Sequence, residues 1–388
     1  MEIHNKFELR KFVAPEFIFG EGSINLAGQY ARNFNARRVL IVTDPGIIQA
    51  GWAKVVETSL EAHGIGFLTF SNITPNPKAE EVMQGAELFH NSRCDCIVAV
   101  GGGSSIDCAK GIGIVASNRR HILEFEGVDK VQYSMPPIIC IPTTAGTAAD
   151  VSQFAIITDS NEKLKKAIVS KVVVPDVALI DPTTTTTMPN YLTACTGIDC
   201  LVHAIEAFVS NASSMITDVH AMEAIRLASK YLLRVLREPN NMEYRTKMMM
   251  ASLEAGLAFS NASLGVTHAM AHSLGGLTDV AHGECNSILV DHVLEFNFKG
   301  APDRYARIGD AMGLNLKGED TKSIKKSILA EISRLKKEAK INNRLSSIGI
   351  GFSDIPYLAK NAMHDICVVT NPRKPVEKDI EVIYEEAL

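Results

Sequence analysis

No basic stripe and no polybasic block run through this 388-residue chain, whose formal net charge is −5. Neither a nucleic acid nor an anionic membrane surface is therefore an expected partner. No stretch reaches the ~18 apolar residues in a row that a membrane span needs. The opening MEIHNKFELRKF lacks the apolar core of a secretory signal. Eight cysteines, at 94, 96, 108, 140, 195, 200, 285 and 367, follow no disulfide-framework spacing, and several sit inside apolar runs. Cys94 and Cys96 stand too close for a zinc ribbon. Reduced thiols in a cytoplasmic protein are the expectation. Internal repeats, low-complexity tails and the G-x-G-x-x-G fingerprint are missing too. What the chain does have is 46% hydrophobic residues and a length that suits two domains.

The two halves differ in rhythm. RRVLIVTD (37–44), GIGFLTF (64–70), CIVAVGGG (96–103), PPIICIPTT (136–144) and PDVALID (175–181) read as strands. Their continuous Val/Ile/Leu content suits a sheet covered on both faces. Between them, PGIIQAGWAKVVETSLEAHG and KAEEVMQGAELFHNSRC carry helical apolar spacing, which predicts βαβ units and a parallel sheet. After DPTTTTTMPN, long amphipathic patterns such as MITDVHAMEAIRLASKYLLRVLRE take over and strand signals nearly vanish. The expected fold is an α/β domain with a parallel sheet over residues 1–186 and an all-α domain over 187–388, with the threonine run 183–187 at the junction.

In CIVAVGGGSSIDCAKG a buried strand runs into Gly101-Gly102-Gly103-Ser104-Ser105, and a helical stretch follows from Ile106. Backbone N–H groups of such a turn, with a helix start behind them, can hold a phosphate; the competing reading is a plain tight turn. PTTAGTAAD (142–150) also follows a strand and offers the hydroxyls of Thr143, Thr144 and Thr147 to a ribose, an amide or a phosphate. Asp44, at the end of the first strand, can accept from a ribose hydroxyl or simply cap a helix.

The unusual stretch is GVTHAMAHSLGGLTDVAHG (265–283). His268 and His272 share one helical face, and His282 follows. TGIDCLVHAIEAFV places Asp199 and His203 at the same four-residue spacing within an apolar helix. Taken singly, each histidine is an ordinary core or surface residue. A carboxylate and imidazoles buried together need partners, and one divalent cation would serve both segments. The donors, oxygen plus imidazole nitrogen, suit Fe²⁺ or Zn²⁺ and not calcium. Five side chains compete for about four positions, and spacing does not say which is left out.

In order along almost the whole chain, FGEGS (19–23), GGGSSIDCAK (101–110), PTTAGT (142–147), TGIDCLVHAIEAFVS (196–210), LGVTHAMAHSLGG (264–276), HGECN (282–286) and TNPR (370–373) resemble the iron-dependent (group III) alcohol dehydrogenase family. The resemblance implies a Rossmann-like, dinucleotide-binding N-terminal domain and a helical C-terminal domain with the site between them. It assigns the metal, Fe²⁺ or alternatively Zn²⁺, to Asp199, His203, His268 and His282, and leaves His272 as a catalytic, proton-handling residue. NAD phosphates would lie at Gly102, Gly103 and Ser104, with Thr143, Thr144 and Thr147 lining the cofactor. Asp44 would face the adenosine ribose and disfavour a 2′-phosphate, and Asn76 and Lys165 would be further cofactor-side residues.

The implied reaction is reversible oxidation of a small primary alcohol or diol to the aldehyde with NAD⁺, in a homodimer or higher homo-oligomer. Two relatives of the same fold compete: a glycerol dehydrogenase, and a dehydroquinate-synthase-like lyase needing a Lys/Arg cluster that the metal-binding stretches lack. A non-catalytic, metal-stabilised binding protein is the rival from another class. Two departures from the family pattern are AGTAAD, where Ser-Glu usually follows, and Asp291, where many relatives have proline.

Overall fold

A computed structural model describes residues 9–278, 280–341 and 343–388. The strands are β1 (Glu16–Phe19), β2 (Arg38–Val42), β3 (Gly66–Phe70), β4 (Cys96–Gly101), β5 (Gly127–Val128), β6 (Ile138–Pro142), β7 (Phe154–Asp159), β8 (Leu164–Val169) and β9 (Val177–Ile180). Interleaved with them are α1 (Ala27–Asn33), α2 (Pro45–Ala50), α3 (Trp52–Ala62), α4 (Ala79–Asn91) and α5 (Gly103–Asn118). Helices then run alone: α6 (Asn190–Val209), α7 (Met215–Arg237), α8 (Met242–Ala262), α9 (Val266–Leu277) and α10 (His282–Asn297). The last four are α11 (Pro302–Ala311), α12 (Thr321–Glu338), α13 (Ile355–His364) and α14 (Glu377–Ala387). Among the described residues no strand follows β9.

Six strands form one parallel sheet in the order β1-β9-β6-β4-β2-β3. Side chains alternate across a strand, so each strand feeds two cores. Leu40, Val42, Ile97, Ala99, Ile138 and Cys140 pack with Val82, Ala86, Ile106 and Ile112 of α4 and α5. Their neighbours Val39, Ile41, Val98, Val100, Ile139 and Ile141 pack with Ala31, Val56 and Leu60 of α1 and α3. Strands β4, β6 and β9 are buried along their whole length and β2 after Arg38, so they show no polar face and read as unbroken aliphatic runs, whereas β3 is half-buried at the sheet edge.

Three features were not legible. The helical pattern 45–64 is two helices, because Gly51 adopts φ +89° and ends α2. α5 begins at Gly103, three residues before Ile106. A second, three-stranded sheet, β5-β8-β7, contains an antiparallel β7–β8 hairpin registered from Phe154 opposite Val169 to Asp159 opposite Leu164. Strand β8, LKKAIV, is mostly half-buried and carries two lysines, so its pattern matches neither a covered strand nor a helix.

A third core joins the halves: Ala145, Ala148, Val151 and Phe154 pack with Ile198, Leu201, Ala255 and Phe259. Helix α6 is long and apolar enough to cross a membrane, but 94% of that window is buried within the fold, where α7, α8 and α10 surround it.

Candidate metal and cofactor site

Three helices meet at one point. Asp199 and His203 lie one turn apart on α6, His268 on the first turn of α9, and His282 opens α10. One ligand atom from each falls within 4.8 Å of all the others. Asp199 Oδ1 lies 3.7 Å from His268 Nε2 and 3.8 Å from His282 Nε2. The His203 and His268 rings stack at 4.4 Å. One oxygen and three nitrogens at these spacings fit a divalent ion of the Fe²⁺ or Zn²⁺ type. Close approach of α10 depends on Gly283, where a Cβ would come within 2.2 Å of the Cys195 carbonyl.

Each imidazole is turned by the partner of its other nitrogen, which sets the tautomer. His203 Nδ1–H donates to the Gly146 carbonyl at 3.2 Å, and His268 Nδ1–H to Glu206 Oε2 at 2.7 Å. Glu206 was not singled out in the sequence, yet it organises the start of α9. Its carboxylate also accepts from the backbone N–H of Gly265 (2.9 Å), Thr267 (2.7 Å) and His268 (3.4 Å), while Asn371 Oδ1 takes that of Val266. The unpaired N–H groups and positive dipole end of the helix thus meet a buried anion, which pins His268 in place.

The electrostatics prepare ligands. Burial alone would raise the Asp199 carboxyl, but His203, His282 and His268 around it hold it well below the usual carboxylate range. Burial pushes His203 down to about 4 and His282 well below its ordinary value, so both keep open lone pairs at neutral pH. His268 goes the other way: burial is overcome by hydrogen bonds to Asp199 and Glu206, which raise it to about 9. A cation on its Nε2 would take the place of that proton.

His272, one turn after His268, is not among these four donors. Its Nδ1–H donates to Asp365 Oδ2 at 2.8 Å and its ring stacks on His282 at 5.2 Å. Asp365 is nearly buried; that would raise its carboxyl, but His272 and the Cys367 N–H hold it low. His272 Nε2 is thereby left to face other partners.

A cleft joins this cluster to the glycine turn. Asn76, Gly103, Ser104, Asp107, Thr147 and Lys165 line it together with all four donors and His272. The glycines fit threonines: a Cβ on Gly102 would stand 3.1 Å from Thr144 Cγ2, and one on Gly103 3.0 Å from Thr147 Cγ2. No side chain caps the start of α5. The Thr143 and Thr144 hydroxyls are buried without a partner, which suits a polar ligand held at this turn. Neither lines the cleft itself. Asn76 adopts φ +59° and donates its N–H to Ser104 Oγ at 3.2 Å. Asp44 is a helix cap, accepting from Ile47 N at 3.1 Å, and its second oxygen accepts from Ser105 Oγ at 3.0 Å beside the glycine turn. Lys165 arrives on β8, and its charge helps depress His282.

The cleft also holds a group the sequence reading passed over. Asp107, on the first turn of α5, has its carboxyl pushed up to about 7 by burial. The two departures are accounted for structurally. Ala149 lines the cleft and Asp150 is buried, its carboxyl pushed up to about 6 by that burial. Asp291 accepts from Lys336 Nζ at 2.6 Å and ties α10 to α12. All eight cysteines are buried free thiols.

Two family models cover nearly the whole chain. Iron-containing alcohol dehydrogenase matches residues 14–182, and the C-terminal region of the Fe-containing alcohol dehydrogenase family matches 193–388. Alcohol dehydrogenase 4 of Schizosaccharomyces pombe is 40% identical over 97% of this chain and 89% of its own length. The NAD-dependent methanol dehydrogenase of Bacillus methanolicus is 35% identical over 97% of this chain and 99% of its own. The crystal structure of a 1,3-propanediol oxidoreductase superposes with a TM-score of 0.95 at 37% identity, covering 98% of this chain and 100% of that one.

Proposed function

The chain belongs to the iron-containing alcohol dehydrogenase family and is an alcohol oxidoreductase, and on that premise we propose that it interconverts a small primary alcohol or diol and its aldehyde with NAD, using Fe²⁺ held by Asp199, His203, His268 and His282. One observation carries this reading: the cleft that touches all four donors also touches Gly103 and Ser104 of the glycine turn, so metal and dinucleotide sites share one space. When bound, the ion supplies Lewis acidity and NAD accepts the hydride.

The protein's own residues do the rest. Gly102, Gly103 and Ser104 hold the pyrophosphate at the start of α5, and Thr143, Thr144 and Thr147 satisfy the cofactor from the opposite turn. Asp44 faces the adenosine ribose, where its carboxylate disfavours a 2′-phosphate. Asn76 and Lys165 complete the cofactor side. His272 accepts the alcohol proton at Nε2 while Asp365 holds Nδ1–H, so the ring is oriented and its tautomer set. Lys165 is the single lysine or arginine among the described residues lining the cleft, which argues against a lyase acting on a polyanion. Residues 1–186 form the NAD domain and 187–388 the metal domain. The enzyme works in the cytoplasm as a homodimer or larger homo-oligomer, in keeping with its eight free thiols.

The test is metal analysis of protein purified without oxygen, followed by NADH formation with C2–C4 alcohols and diols after reconstitution with Fe²⁺ or Zn²⁺. Stoichiometric metal with turnover is expected. Metal without turnover on any alcohol would point to a binding protein.

A further inference from the structure

Lys110 lies in α5, two helical turns after Gly103, and is fully buried. Ile106, Cys108, Ala109, Ile112 and Ile114 of the same helix are buried with it. Burial pushes its ammonium below the usual lysine range, against the pull of Asp107, Cys140 and Asp150. Taking a charge out of water is costly, and an apolar side chain of similar volume would fill the same space without that cost. What the lysine holds is therefore the question.

Its three N–H donors meet three acceptors in one short stretch. Nζ donates to the carbonyls of Ser152 and Phe154, each at 2.8 Å, and to Ser152 Oγ at 3.4 Å. Gln153, between them, is gripped from the last turn of α8. Its backbone N–H donates to Ser260 Oγ at 3.0 Å, and its Nε2 to the Ser260 carbonyl at 2.6 Å. Ser152 and Phe154 line the cleft, as do Gly103, Ser104 and Asp107 from the start of α5. The Phe154 ring meets Phe259 edge to face at 5.8 Å, and Phe259 stacks on the His203 imidazole at 4.5 Å. A continuous line of contacts thus runs from the glycine turn along α5 to Lys110, through 152–154, and on to a metal donor.

From this line of contacts we infer that Lys110 is a positioning residue for hydride transfer: by tying α5 to the 152–154 wall, it fixes how far the dinucleotide at the glycine turn stands from the metal centre. The inference rests on the NAD and metal reading above, and Lys110 itself touches neither group. Hydride transfer is sensitive to such spacing, since a misplacement of about 1 Å can cost roughly 10²-fold in rate. It also accounts for a lysine among the apolar residues that follow the glycine turn in GGGSSIDCAKG.

Lys110→Met keeps the reach of the side chain and removes its donors. Wild type and variant are to be loaded with Co²⁺ and NAD, and compared by the relaxation that the paramagnetic ion imparts to the nicotinamide protons, which falls with the sixth power of their separation. Single-turnover hydride transfer is followed with whichever C2–C4 alcohol wild type oxidises fastest, and with the same alcohol deuterated at its carbinol carbon to identify the step. The variant should bind metal and NAD like wild type, show a changed relaxation, and transfer hydride roughly 10–100-fold more slowly. A lysine that serves stability alone would lower Tm but leave relaxation and rate per folded molecule unchanged, and that result overturns the inference. Loss of metal or NAD from the variant also overturns it, because Lys110 would then support a binding site and not the spacing between two. Should Lys110→Met not fold, Lys110→Gln, with an N–H donor on a shorter arm, takes its place under the same expectations. If wild type takes up no divalent ion or reduces NAD with no alcohol, the proposed function falls and the inference with it, a failure distinguishable because it appears before any substitution is made.

Discussion

The two ends of the cleft are built from different material. At the glycine turn, recognition lies in the backbone: bare glycines against threonine methyls, an uncapped helix start and two orphaned hydroxyls. At the metal end it lies in charged and aromatic side chains, each oriented by a partner of its own. A backbone cradle tolerates changes to many of its side chains but not added bulk. A side-chain cluster tolerates no change of donor, yet its support is spread over residues distant in sequence. Substitutions at the two ends should therefore separate cofactor binding from metal binding.

The largest effect is expected from His268→Ala, which should lose bound metal and turnover together; metal analysis and NADH formation check this, and an active, metal-replete variant would remove the basis of the side-chain end. Next, His272→Ala should keep its metal but lower kcat by about 10²–10⁴-fold. Full activity there would refute its proton-handling role. Glu206→Gln keeps the shape but not the charge, and should weaken metal affinity roughly 10–100-fold. It should also lower Tm, since the first turn of α9 loses its anion. On the backbone side, Gly103→Ala should raise the KM for NAD by about tenfold, near 1.4 kcal/mol, with metal content unchanged. Loss of metal in that variant would show that the two ends are coupled.

The smallest effect is a pH dependence. Burial raises the Asp107 carboxyl from 3.8 to about 7, so its protonated form is favoured in the folded state. Such a group contributes stability that is fully present below 3.8 and is lost as pH rises through about 7. A neutral amide in its place does not titrate, so Asp107→Asn should gain Tm relative to wild type between those two values and hold a constant difference above them. A flat difference across the range would show that the carboxyl titrates alike in both states.

Both ends were partly visible in the sequence. The covered strands announced themselves because every residue of β4 is buried, and Asp199 and His203 stood out as ionisable groups within an apolar helix. Glu206 carried the same signal, three residues beyond His203 in the same helix, and was legible in principle. Asp365 was not: it lies 93 residues from His272, in a segment with no periodicity of its own. Strand β8 was hidden because a half-buried strand with two lysines resembles a loop. The cap reading of Asp44 holds geometrically, and the same carboxylate stands beside the glycine turn, so that local reading and the proposed ribose contact are compatible.

By itself the sequence determined the parallel α/β half followed by helices, the glycine turn, and a supply of one carboxylate and four imidazoles too costly to bury unpaired. Those are consequences of local pattern and of the free energy of burying charge, both written in neighbouring residues. Only the tertiary structure decided which four donors converge, which imidazole turns instead to Asp365, and that Lys165 and Glu206 stand around them. Such choices depend on how helices from distant parts of the chain approach one another, and no spacing along the chain encodes that distance.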